Sequence, residues 1–183
     1  TGSDDGMVRL WDVSRAALES IALAQGGARI AGLAFAADGR WLFAGDAGGT
    51  IRAWKVDDPG KVFATSNPGQ GAINVVAADP RGRWIAFGTE SGKVCLWKLG
   101  EQGFIEGPCQ PYGQAIGHLK FSARGRWLAA GSGGERAAVA LWDLSDGSQA
   151  ERFERLLPVE IPPEPFLRAV GFSGDESRLA VAY

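Results

Sequence analysis

An eight-residue segment built around a tryptophan occurs four times and constrains the fold more than any other feature of the chain. Residues 6–13 read GMVRLWDV, and variants of this segment return as GTIRAWKV, GKVCLWKL and AAVALWDL. The tryptophans of successive copies are 43, 43 and 45 residues apart, at the positions Trp11, Trp54, Trp97 and Trp142. This register indicates a structural repeat whose units, too small to bury their own apolar faces, stack on one another.

A second tryptophan column repeats with the same period. Trp41, Trp84 and Trp127 stand in the segments GRWLFAG, GRWIAFG and GRWLAAG, so all seven tryptophans of the chain fall into two columns. The columns divide the chain into a partial unit at about residues 1–25, three units at 26–68, 69–111 and 112–166, and a partial unit at 167–183. Because repeat units stack into one body, we predict a single domain over residues 1–183.

Within each unit, short runs of alternating apolar and polar residues are separated by turn-forming segments such as AADGR and DAGG. Four such runs per unit predict an all-β fold made of four-stranded propeller blades. Residues 18–23 supply one of these strands, although a helix at residues 15–25 is the competing interpretation. The proline-rich residues 150–166 predict an outer strand followed by an extended loop.

The bulk properties limit the classes of partner and compartment. The formal net charge is −2, and without a basic excess we expect neither a nucleic-acid nor a membrane partner. The two cysteines, Cys95 and Cys109, are too few for a disulfide framework, and Cys95 lies in a predicted strand where it would serve as a small apolar residue. We therefore expect a reducing, cytoplasmic location.

The segments GSDDGMVRLWD and LWDLSDG resemble the WD40-repeat β-propeller family, and the GRW motif is similar to its bacterial members. The resemblance covers nearly the whole chain. It implies antiparallel four-stranded blades in which each repeat tryptophan lies on the third strand and packs against a neighbouring blade. Propellers of this family usually close with about seven units, so the resemblance implies an arc of about four blades, truncated at both ends, with further blades in the same protein. A closing blade shared by the two half units is the topological alternative.

The chain keeps little of the polar network that the family builds in each blade. Asp5 matches the family's turn aspartate, but Gly48 and Ser91 stand at the equivalent positions in the next two units. The aspartate that follows the repeat tryptophan is replaced by Lys55 and Lys98. We therefore expect these blades to depend on packing more than on polar networks.

No group of residues in the sequence has the spacing of a catalytic, cofactor or metal site. The segment GTESGKV lacks the first glycine and the final Ser or Thr of a phosphate-binding loop. His118 has no second histidine, cysteine or carboxylate at ligand spacing, so we interpret it as structural or as lining the central channel. We predict no catalytic residue, no cofactor and no metal.

The function that we predict is a non-catalytic protein-interaction scaffold, acting as the sensor or docking module of a larger signalling or effector protein. The alternative is a propeller-based enzyme or ligand-binding domain with its site over the central channel. Loops carry recognition on a rigid repeat scaffold. The loops joining the second and third strands should share one face, where five acids predict a docking site for a basic segment of a protein partner: Asp4, Asp5, Asp46, Glu90 and Glu135.

Overall fold

The computed structural model describes residues 1–14, 19–24, 27–132, 138–145, 157–159 and 167–183, and these residues form β-strands and no helix. Consecutive strands pair antiparallel in five sheets, each of which we call a blade. The first strands of blades 2 to 5 lie next to one another in sequence order. The prediction of an all-β propeller arc with four-stranded blades is confirmed.

The five blades take the strands in chain order. Blade 1 is the pair β1 (Val8–Asp12) and β2 (Glu19–Ala24), and blade 5 is the pair β16 (Ala169–Phe172) and β17 (Leu179–Ala182). Blade 2 contains β3 (Ile30–Phe35), β4 (Trp41–Asp46), β5 (Ile51–Lys55) and β6 (Asp58–Ser66). Blade 3 contains β7 (Ile73–Ala78), β8 (Ile85–Thr89), β9 (Lys93–Gly100), β10 (Gly103–Ile105) and β11 (Cys109–Pro111). Blade 4 contains β12 (Ile116–Phe121), β13 (Trp127–Ser132), β14 (Ala138–Asp143) and β15 (Leu157–Val159).

Two uncertain stretches of the sequence are strands. β2 pairs with β1 along its length, so the strand expected at residues 18–23 is confirmed, and the helical alternative is wrong for the residues that the structure describes. The outer strand expected in the proline-rich stretch is β15, which pairs with β14. The extended loop expected around β15 lies outside the described residues.

In blades 2 to 4, which we call the complete blades, the repeat tryptophans pack against the preceding blade, as predicted. Trp54, Trp97 and Trp142 are at most 2% exposed. The Trp54 indole N–H donates to the carbonyl of Leu23 in blade 1, at 3.1 Å. Trp97 shares an apolar cluster with Phe43 of blade 2, and Trp142 shares one with residues of blade 3. These side chains therefore form the core at each junction between blades.

Trp11 of blade 1 differs, because its side chain is 39% exposed. In blades 2 to 4 a full second strand pairs with one edge of the third strand, whereas in blade 1 only the short segment around Thr1 and Gly2 pairs with that edge of β1. The Trp11 indole N–H donates to the Thr1 hydroxyl at 3.1 Å. The packing predicted for the repeat tryptophans is therefore incomplete at this position.

A second contact, between a glycine and a branched side chain, recurs at every junction. The glycine stands near the end of the second strand of one blade, or in the short segment that takes its place in blade 1. A Cβ atom there would overlap a residue at, or two positions before, the start of the first strand of the next blade. The added atom would lie 2.0–2.5 Å from a side-chain carbon of that residue, in the pairs Gly2 with Ile30, Gly45 with Ile73, Gly88 with Ile116 and Gly131 with Leu167. Because no other residue is this small, these glycines set how closely adjacent blades approach.

Cys95 and Cys109 form a disulfide that the sequence analysis did not predict. They are direct partners in the pairing of β11 with β9, and their Cα atoms are 4.0 Å apart. The outer part of blade 3 is divided into β10 and β11, which brings Cys109 back alongside the buried Cys95. The cytoplasmic location was expected partly because the two cysteines were taken to be unpaired. The disulfide removes that support, and the location stays a prediction.

Replacing Trp97 by alanine should lower the free energy of unfolding by roughly 3–5 kcal/mol, the range for removing a large buried aromatic side chain. Its ring centroid lies 4.9 Å from that of Phe87 and 5.9 Å from that of Phe104, so both contacts are lost. Replacing the half-buried His118 by alanine should lower the free energy of unfolding much less. Urea unfolding of the two variants measures the difference, and equal losses would contradict this view of the core.

Replacing Cys109 by serine should lower the free energy of unfolding by about 2–3 kcal/mol under oxidising conditions, because the disulfide closes a loop in the unfolded chain. The two cysteines are 14 residues apart in sequence. Urea unfolding with and without dithiothreitol provides the control, since the reductant should abolish the difference between variant and wild type. Equal stability without reductant would show that the bond does not stabilise blade 3.

Candidate protein-interaction surfaces

The turns of the blades lie on two opposite faces. We call the face that carries the turns between second and third strands the upper face, and the face that carries the turns between first and second strands the lower face. Of the five acids predicted to bind a partner, Asp4, Asp5, Asp46 and Glu90 belong to turns of the upper face.

Asp46 is not available at the surface, because its side chain turns into blade 2. It is 1% exposed, and its Oδ1 accepts the backbone N–H groups of Gly48 and Thr50, each at 2.9 Å. Its Oδ2 accepts a hydrogen bond from Arg52 Nη1 at 2.7 Å. A residue with both carboxylate oxygens occupied in its own turn closes that turn, so we leave Asp46 out of the candidate surface.

The position of Asp46 carries a polar residue in every repeat. Thr89 accepts the backbone N–H of Lys93 at 3.0 Å, and Ser3 donates its hydroxyl to the carbonyl of Met7 at 3.2 Å. Ser132 donates to the carbonyl of Ala138 at 3.5 Å. Polar groups therefore do close these turns, in a column that the sequence shows as the last letter of FAGD, AFGT and AAGS.

Three of the remaining acids, Asp4, Asp5 and Glu90, are exposed. Asp4 and Glu90 each follow the turn-closing residue directly, at equivalent positions of blades 1 and 3. Neither has an ion-pair partner within the described part of the chain. Glu135 lies outside the described residues.

Asp5 combines an exposed charge with a role in its turn. Its Oδ1 accepts the Ser3 hydroxyl and, at 3.0 Å, the backbone N–H of Met7. These two hydrogen bonds, with that from Ser3 as the larger cause, lower the pKa of the Asp5 carboxyl below its ordinary value. The carboxylate therefore stays negative to lower pH than an isolated aspartate.

The lower face holds an ion pair that bridges two blades. Asp79 is fully buried, and its Oδ2 accepts a hydrogen bond from Arg83 Nε at 2.7 Å. The same guanidinium crosses into blade 4, where Nη1 donates to the carbonyl of Leu144 at 3.1 Å and Nη2 to that of Gly125 at 2.6 Å. Arg83 thereby occupies the lower end of the junction between blades 3 and 4.

The equivalent arginines of the other complete blades behave differently. Arg126 in blade 4 pairs with Asp143 of its own blade at 3.1 Å. Arg40 in blade 2 is exposed and has no side-chain hydrogen bond or ion pair within the described part of the chain. The residue that would anchor it, at the position of Asp79, is Ala36.

Where Arg40 leaves space, the junction between blades 2 and 3 contains a cavity of about 410 Å³. We call this cavity the junction groove. Its volume falls within the range of about 300–1,000 Å³ that is typical of ligand pockets. The residues that matter for its chemistry are Ala36, Asp38, Trp41, Gly82, Leu99 and Glu101.

In a comparison with protein families, the WD40 family (WD domain, G-beta repeat) matches residues 22–55 and 60–98. Each match covers the outer strand of one blade and the first three strands of the next. The two matched segments are therefore WD40 repeats. A comparison with curated proteins gives no match.

In these WD40 repeats the lysines that replace the aspartate after the repeat tryptophan lie over aromatic rings. Lys98 Nζ lies 4.4 Å from the ring centroid of Trp84, and Lys55 Nζ lies 5.6 Å from that of Trp41. Each lysine is also exposed, so its ammonium group keeps its contact with water. The second tryptophan column thus gains cation–π contacts where the family's aspartate is missing.

The propeller arc shows no group of residues arranged for metal binding among those that the structure describes. His118 lies on β12, and its Nε2 is 3.0 Å from the carbonyl oxygen of Leu167, which links blade 4 to blade 5. Within the described ranges there is no helix long and apolar enough to cross a membrane.

Proposed function

We propose that this WD40-repeat protein is a non-catalytic docking scaffold within a larger signalling or effector protein, and that its upper face binds a basic segment of a protein partner. WD40 repeats generally mediate protein–protein interaction, which supports the class of function. The proposed partner presents lysine or arginine side chains.

The observation that carries the proposal is the repeated placement of an exposed acid at one turn position. Asp4 and Glu90 follow equivalent turn-closing residues on blades 1 and 3, and Asp5 adds a third charge beside Asp4. The turns that carry them are closed by internal hydrogen bonds, so little order has to be gained on binding. A rigid surface of separated negative charges is suited to steering a basic partner.

The double variant Asp4→Lys with Glu90→Lys should slow association with the partner about tenfold at low ionic strength, because exposed charges act mainly on the association rate. The difference should shrink as salt is added, since salt screens exposed charges. The partner is first recovered by affinity purification of the full protein, and surface plasmon resonance then gives both rate constants.

A matched control changes the same charge elsewhere. Asp57 and Asp58 are exposed at the start of β6, on the lower face, and their replacement by lysine should leave association unchanged. If both double variants slow association equally, net charge rather than the upper face governs binding. If neither does, the acids of the upper face only keep the turns solvated.

A further inference from the structure

We propose that the junction groove between blades 2 and 3 binds an arginine side chain presented by a protein partner. The groove is on the lower face, so this site is separate from the upper face and does not depend on the function proposed there.

The junction between blades 3 and 4 shows how such a site binds a guanidinium. There Arg83 donates to one carboxylate, that of Asp79, and to two backbone carbonyls of the next blade, those of Gly125 and Leu144. Planar guanidinium groups suit this arrangement because their N–H donors point in fixed, divergent directions. The protein therefore contains a working arginine site at one of its own junctions.

The junction groove has the equivalent backbone positions, but no arginine among the described residues occupies it. Gly82 and Leu99 stand at the repeat positions of Gly125 and Leu144, and both line the groove. Ala36 lines it at the position that Asp79 holds in blade 3. The missing carboxylate at Ala36 explains why Arg40 lies outside, and the space that an arginine would fill is open.

Two other carboxylates supply the charge that Ala36 lacks. Asp38 and Glu101 are exposed at the groove, and within the described part of the chain neither belongs to an ion pair. Asp38 Oδ1 accepts the backbone N–H of Arg40 at 2.9 Å, which fixes the side chain beside the groove. Two carboxylates and an apolar wall that includes the half-buried Trp41 favour a guanidinium with its aliphatic stem over other side chains.

No cation among the described residues forms an ion pair with either of these acids. Arg81 also lines the groove, but it lies close enough to Glu176 of blade 5 to contribute to the lowered pKa of that carboxyl, whose main cause is a hydrogen bond with Ser122. Arg40 is the competitor within the chain, because it occupies the repeat position of Arg83. Its removal should therefore leave binding intact or make it tighter.

The test is an NMR titration of the purified protein with N-acetyl-arginine-N-methylamide, followed through the indole N–H signals. We expect saturable shifts at Trp41 and Trp84, which line the groove, and not at Trp127, which does not. The lysine analogue should bind at least threefold more weakly. No saturable shift at Trp41, or equal binding of the two analogues, would overturn the proposal.

Three variants separate the groove from general charge effects. Asp38→Asn with Glu101→Gln should weaken binding at least fivefold, whereas Asp4→Lys with Glu90→Lys on the upper face should not change it. Ala36→Asp should recruit Arg40 into the groove, as Asp79 recruits Arg83, and should abolish binding. Unchanged binding in either groove variant, with indole spectra that show a folded protein, would overturn the proposal.

Discussion

Each blade of this propeller arc contacts the next through a glycine that receives a branched aliphatic side chain. In blades 2 to 4 the glycine is the next-to-last residue of the second strand, and the isoleucine or leucine stands at, or two positions before, the start of the first strand of the next blade. Side-chain carbons occupy the space that a Cβ atom would need, as Ile116 does at Gly88. The buried tryptophans of the third strands belong to the same apolar clusters as the isoleucines. Apolar contacts rather than polar ones therefore set the spacing between blades.

The junctions share these apolar contacts but differ in their polar groups. Arg83 bridges blades 3 and 4 because Asp79 anchors it, whereas Arg40 faces solvent because alanine stands in place of that aspartate. One junction is therefore filled by the chain's own arginine. Its neighbour keeps an open groove beside two acids, Asp38 and Glu101, that form no ion pair with any described residue. Small differences between repeats of the same frame are enough to turn a structural position into a candidate binding site.

The repeat and its strands could be predicted because tryptophans, glycines and turn residues return with one period, and that period fixes position within a blade. The direction of a turn side chain could not be predicted in this way. Asp46 looks like an exposed loop acid in sequence, but the tight turn directs its carboxylate to its own backbone N–H groups and to Arg52.

Two individual contacts that cross between strands or blades could not be predicted from the sequence either. The Cys95–Cys109 disulfide depends on the division of the outer strand of blade 3 into β10 and β11. The outer strands described in blades 2 and 4 are not divided, so the repeat pattern does not predict this division. The reach of Arg83 to Leu144 depends on the distance between blades rather than on any spacing along the chain. Of the five predicted surface acids, Asp4, Asp5 and Glu90 lie exposed on the upper face, and their role in binding stays a prediction.

The most direct test of this account compares two glycine-to-alanine variants by urea unfolding. At Gly88 the added Cβ would lie 2.4 Å from Ile116 Cγ2, while at Gly117, in a strand of the next blade, nothing lies within 4 Å. Gly88→Ala should lower the free energy of unfolding by about 1–3 kcal/mol through overpacking, and Gly117→Ala should be neutral or slightly stabilising, since alanine restricts the unfolded chain. Equal stabilities of the two variants would contradict the claim that the glycine contact sets the spacing of the blades.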